Sequence, residues 1–60
     1  MKAIIKVNTR VIEIIYCNSF VIEEILNNRV YKFLDKEKKM IANILLDDYD
    51  KSVEVIIDNE

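Results

Sequence analysis

Apolar and polar residues alternate with a period of two along most of this chain, the spacing that turns one side of a β-strand inward and the other outward. The stretch 20–35, FVIEEILNNRVYKFLD, carries the pattern most fully and reads as two strands folded back about Asn27-Asn28. A two-residue hairpin loop needs positive φ at its centre, and asparagine is the non-glycine residue that tolerates this best. In that register Ile25 faces Val30, Glu23 faces Lys32 and Val21 faces Leu34. Such cross-strand pairs contribute roughly 0.2–1 kcal/mol each relative to alanines. A rival for the first half is a short helix over 19–27, capped by Ser19 and striped by Val21, Ile25 and Leu26.

The opening segment offers a second hairpin about Asn8-Thr9. It places Ala3, Ile5 and Val7 beside Ile14, Ile12 and Arg10 on one face, and Lys2, Ile4 and Lys6 beside Ile15, Glu13 and Val11 on the other. Thr9 is β-branched where φ must turn positive, so the loop is imperfect. Asn18-Ser19 is a third turn signal that would join the hairpins into a four-stranded meander. Its simplest register sets Glu13 opposite Glu24, a like-charge pair that sheets avoid.

From 36 to 48 the character changes, because KEKKMIANILLDD is rich in strong helix formers. Asp35 can cap a helix near 36–47 on which Met40, Ile41, Ile44 and Leu45 form an apolar stripe. The charges oppose it, since lysines crowd the first turn and Asp47 with Asp48 closes the last, the reverse of what the helix dipole favours. Read instead as a strand, Met40, Ala42, Ile44 and Leu46 alternate with their neighbours. A polar loop over 47–52 then leads to SVEVIID, whose Val53, Val55 and Ile57 make the clearest strand in the chain.

The expected fold is therefore a β-rich α+β domain: an open antiparallel sheet of about five strands, made of two N-terminal hairpins and the C-terminal strand, with one helix near 36–47. A small all-β barrel is the second reading. It ranks lower because tiny barrels use glycines for bulges and sharp bends, and the chain has no glycine.

Sixty residues make a single small domain, 1–60. Apolar burial worth about 90 kcal/mol is met by an ordering cost of about the same size. Small domains escape that balance through disulfides, a metal or association. One cysteine and no histidine preclude an internal disulfide and an ordinary structural zinc site. Association remains, and a homodimer or higher oligomer is expected. The single Cys17 suits a reducing compartment, no leader pattern opens the chain, and no apolar run approaches the roughly 18 residues of a membrane span. The expectation is a cytoplasmic protein with no membrane contact.

The inventory for catalysis is poor. Without histidine, Cys17 and Ser19 lack the usual base that activates a nucleophile. Without glycine there is no phosphate-cradling loop. The sequence thus argues against an enzyme and calls for no cofactor, and Cys17 reads as a small buried hydrophobe. Asp47, Asp48 and Asp50 cluster in one loop but lack the glycine and bidentate glutamate of a calcium loop, so they read as a solvated acidic turn.

Charge is unevenly placed. Residues 1–39 hold eight basic and five acidic side chains, whereas 47–60 hold one basic and six acidic, Glu60 among them. The preferred function is a small self-associating protein-binding module. Tyr31, Phe33 and Tyr49 would supply affinity, while Arg29, Lys32, Asp47, Asp48 and Asp50 would set specificity and association rate. Heavy use of Ile, Lys and Asn, whose codons are AT-rich, together with brevity, points to a phage or mobile-element accessory or inhibitor protein acting on a host protein by stoichiometric binding, in the host cytoplasm. The alternative is a small dimeric nucleic-acid-binding regulator, contacting phosphates through Lys6, Arg10, Arg29, Lys32, Lys36, Lys38 and Lys39 and stacking bases on Tyr31 and Phe33.

Overall fold

In a computed structural model, which describes residues 1–59, the chain forms six strands. These are β1 (Lys2–Val7), β2 (Arg10–Tyr16), β3 (Ser19–Ile25), β4 (Asn28–Leu34), β5 (Met40–Asp47) and β6 (Val53–Asp58). They build two three-stranded antiparallel sheets, ordered β2-β1-β6 and β3-β4-β5. The α+β expectation is corrected: the described residues are all-β, the class of the second reading, but divided into two sheets instead of closed into a barrel.

The segment expected to be a helix is β5 and the loop before it. Asp35 does cap, although it caps a turn: its Oδ1 accepts the backbone N–H groups of Glu37 and Lys39, each at 2.9 Å. Further backbone bonds, Asp35 N–H to Lys39 O at 2.9 Å and Lys38 N–H to Asp35 O at 3.0 Å, close the loop. Lys38 sits there at φ 65°, outside the helical range. A strand wins because β4 needs a second neighbour and because the adverse end charges cost nothing in an extended chain. A bulge at Ile41 sets Ala42 against Phe33 and Met40 against Leu34, so that Ala42, Ile44 and Leu46 turn inward together. The rival helix over 19–27 is likewise a strand, β3.

The first hairpin turns at Asn8-Thr9 as expected, with φ of 51° and 70°, and its register near the loop, Val7 to Arg10 and Lys6 to Val11, is the expected one. Beyond Lys6 a bulge leaves Ile12 over and shifts the pairing by one residue, to Ile5 with Glu13, Ile4 with Ile14 and Ala3 with Ile15. A one-residue slip exchanges faces. Ile15 is thereby buried, while Ile12 and Ile14 are exposed. The second hairpin turns at Leu26-Asn27, not Asn27-Asn28, so Ile25 faces Asn28 and Val21 faces Lys32. Leu26 takes the positive φ, 55°. This slip is two residues, and each side chain keeps its expected face.

The four-stranded meander does not form. At Cys17-Asn18 the chain bends out of the first sheet into the second, as corner strands do between packed sheets. Cys17 N–H closes the first ladder on Met1 O at 3.1 Å, and Asn18 N–H opens the second on Leu34 O at 2.9 Å. Glu13 and Glu24 consequently lie in different sheets and are never paired.

The core lies between the sheets. Ala3, Ile5, Ile15 and Cys17 meet Phe33, with Met1, Phe20, Tyr31, Ala42, Ile44, Val53, Val55 and Ile57 packed around them. Phe20, Tyr31 and Phe33 stack in a row with successive centroids 6.3 Å apart. Cys17 is buried, as its surroundings in the sequence suggested. Leu46 is the sixth buried apolar residue. At 33 × 27 × 15 Å the domain is two layers thick and no more.

Candidate interaction surface

Because side chains alternate along a strand, the residues that do not point into the core make two outer faces. On the first sheet the register aligns Ile14, Ile4 and Ile56 across β2, β1 and β6. That aliphatic row is flanked on one side by Tyr16, Lys2 and Asp58, and on the other by Val11, Lys6 and Glu54. On the second sheet the outer rows are Val21, Lys32, Asn43 and then Glu23, Val30, Leu45. Both faces are mixed patches of aliphatic side chains and scattered charge.

Among the described residues twelve large apolar side chains are exposed, against four that are buried, Ile5, Ile15, Phe33 and Leu46. Their distribution is uneven. Val11, Ile12, Ile14 and Tyr16 lie on β2, Val21, Ile22 and Ile25 on β3, and Met40, Ile41 and Leu45 on β5, with Leu26 and Tyr49 in loops. Every exposed one within a strand is therefore on an edge strand, where N–H and C=O groups along one side have no ladder partner.

Three cations of the surface pair with carboxylates. Lys32 pairs with Glu23 across β3 and β4, Arg29 Nε donates to Asp48 Oδ1 at 3.2 Å, and Lys2 Nζ lies 3.9 Å from Asp58. In the acidic loop, Asp47 Oδ1 accepts Tyr49 N–H at 2.9 Å. Asp50 Oδ1 accepts both Ser52 N–H at 2.9 Å and Ser52 Oγ–H at 2.6 Å. These two bonds stabilise the carboxylate and hold Asp50 below the usual aspartate pKa. Two of these aspartates thus spend an oxygen holding the turn. Beside them, Asn8, Thr9, Arg29, Asp48, Asp50, Lys51, Ser52, Val53 and Glu54 line a polar cleft of about 450 Å³.

The residues singled out from the sequence separate accordingly. Arg29, Asp48 and Asp50 come together at the cleft, with Asp47 ending β5 and Tyr49 in the loop that follows. Lys32 is on the outer face of the second sheet, beside Glu23. Phe33 is 0% exposed and Tyr31 is half-buried beside it. The aromatic contact expected of Phe33 is corrected: it is the centre of the core. Tyr49, 78% exposed, is the aromatic that remains outside. Glu60, counted at the acidic end, lies outside the described residues. The sequence reading missed the outer row of Ile4, Ile14 and Ile56 and the open edges, both of which depend on the bulge and on the division into two sheets.

Compared with known protein families, characterised proteins and solved structures, the chain matches none. Among the described residues no helix is long and apolar enough to cross a membrane.

Proposed function

We propose that this protein acts by binding proteins: it self-associates, and the assembly holds a further protein partner by stoichiometric contact, as an accessory or inhibitor of phage or mobile-element origin. The observation that carries the reading is the exposure of twelve large apolar side chains on so small a domain. Contiguous apolar surface rimmed by charge is characteristic of interaction sites. A two-layer core centred on a single fully buried large side chain, Phe33, gives the lone subunit little reserve, and covering the edge strands adds burial that it lacks. The buried free thiol of Cys17 suits work in a reducing cytoplasm. Of the cations a nucleic-acid reading relies on, Arg29 and Lys32 are already matched to Asp48 and Glu23.

Light scattering at micromolar concentration tests the first half of this reading. A mass of two chains or more is the expected result, and a stable folded monomer would contradict it. Retention on a nucleic-acid column at low salt, lost steeply as salt rises and weakened by Arg29→Ala or Lys32→Ala, would favour the regulator instead.

A further inference from the structure

Among the described residues there are four open sheet edges, β2 and β6 on the first sheet and β3 and β5 on the second. Natural proteins protect such edges with charges, bulges or short strands. β2 carries Arg10 and Glu13 and is kinked by its bulge. β3 carries Glu23 and Glu24, and β6 carries Glu54 and Asp58. The uncharged residues where β2 meets β3 are split by the bend at Cys17-Asn18, whose N–H groups are spent on Met1 and Leu34. β5, though bulged at Ile41, differs from all three in charge. Its residues 40–46, MIANILL, hold no charge, proline or glycine, and Met40, Ile41 and Leu45 are exposed by 54%, 48% and 63%. An uncharged apolar strand on a free edge is a template for another strand.

The ends of β5 indicate which strand. Lys36, Lys38 and Lys39 precede it, and Asp47, Asp48 and Asp50 close and follow it. A second β5 laid antiparallel brings the basic end of each against the acidic end of the other, whereas a parallel copy would oppose like charges at both ends. A two-fold axis perpendicular to the sheet keeps the outer faces on one side, so each residue must meet a partner of the same face. Placing that axis at Asn43 pairs its amide with its own copy and sets Ala42 beside Ile44 of the other chain. Leu45 then lies against the Met40 and Ile41 bulge of the other copy.

We propose that the free edge of β5 is the seam at which two copies of this chain join, antiparallel about Asn43, making one six-stranded sheet from the two β3-β4-β5 sheets. This names the surface for the self-association proposed above and rests on that reading. Only short strands meet, so the seam is small and the dimer is a dissociating one.

Cross-linking with mass measurement tests it on the intact chain. In a Cys17→Ala background, Asn43→Cys forms an intermolecular disulfide under mild oxidation, since residues facing each other across antiparallel strands lie within disulfide reach. Val21→Cys on the β3 edge does not. Leu45→Lys, at an exposed position, and separately Lys38→Glu with Lys39→Glu, in the loop before the strand, each shift the chain to monomer while the far-UV spectrum stays that of β-sheet. If the wild type has a dimer mass but Asn43→Cys fails to cross-link and neither charge variant dissociates it, the β5 seam is overturned and self-association stands. If the wild type is monomeric at every concentration tested, both fall.

Discussion

Replacing Phe33 by alanine separates a core residue from a contact residue. The side chain is 0% exposed, stacks on Tyr31 at 6.3 Å and packs between the two sheets. Truncating a buried phenylalanine to alanine costs about 3–5 kcal/mol, the lost transfer energy plus the cavity left behind. A 60-residue domain has roughly 3–9 kcal/mol of stability to lose. Phe33→Ala is therefore expected to be unfolded or nearly so at room temperature. Phe33→Leu keeps most of the volume and loses about 1–2 kcal/mol, equivalent to roughly 4–16 °C in Tm for a domain this small. Tyr49→Ala, at a 78% exposed position, changes stability by no more than about 0.5 kcal/mol. The assay is urea denaturation followed by circular dichroism, at one protein concentration because association raises apparent stability. A Phe33→Ala chain with wild-type unfolding midpoint would refute the two-sheet core and return Phe33 to the surface.

Two further substitutions probe the loops. Leu26 is 95% exposed and held at φ 55°, a conformation that costs a side-chain-bearing residue about 1–2 kcal/mol and glycine almost none; Leu26→Gly should raise stability by about 0.5–1 kcal/mol, and a lower Tm would mean that the loop turns elsewhere. Ser52→Ala removes the hydroxyl that donates to Asp50 Oδ1, so a carbon-detected NMR titration should show the Asp50 pKa rising toward its ordinary value. A depressed carboxylate pKa stabilises the fold above the unfolded-state value and ceases to do so as pH falls through the folded one. The loop's contribution is accordingly lost on the acid side, and an unchanged Asp50 titration in Ser52→Ala would show that the hydroxyl does not hold it.

Most of the strands were legible because period-two alternation is a local signal. β6 is the strand that SVEVIID promised, with Val53, Val55 and Ile57 turned inward. Asn8-Thr9 turns where its chemistry suggested. What could not be read is what alternation leaves degenerate. Ile12, Ile14 and Ile15 are nearly interchangeable apolar residues, so nothing local says that a bulge at Ile12 will send Ile15 inward. The second hairpin's slip preserves both faces, and the burial pattern cannot tell the two registers apart. At 36–47 helix propensity outweighed the adverse end charges in the reading, yet the fold takes the strand because β4 needs a neighbour, a tertiary demand that propensity does not contain. The candidate contact residues suffered from the same gap. Tyr31 and Phe33 share a face of β4 with Arg29, opposite Val30, Lys32 and Leu34, and since both faces carry apolar residues only the second layer of sheet shows which is covered.

The most direct test of the account is amide hydrogen exchange of β5 followed as a function of protein concentration. If copies join along this edge, the outward-facing amides within 40–46 are protected in concentrated solution and exchange freely on dilution, while those bonded to β4 stay protected throughout. Exchange along β5 that ignores concentration, in a protein that remains folded, would contradict it.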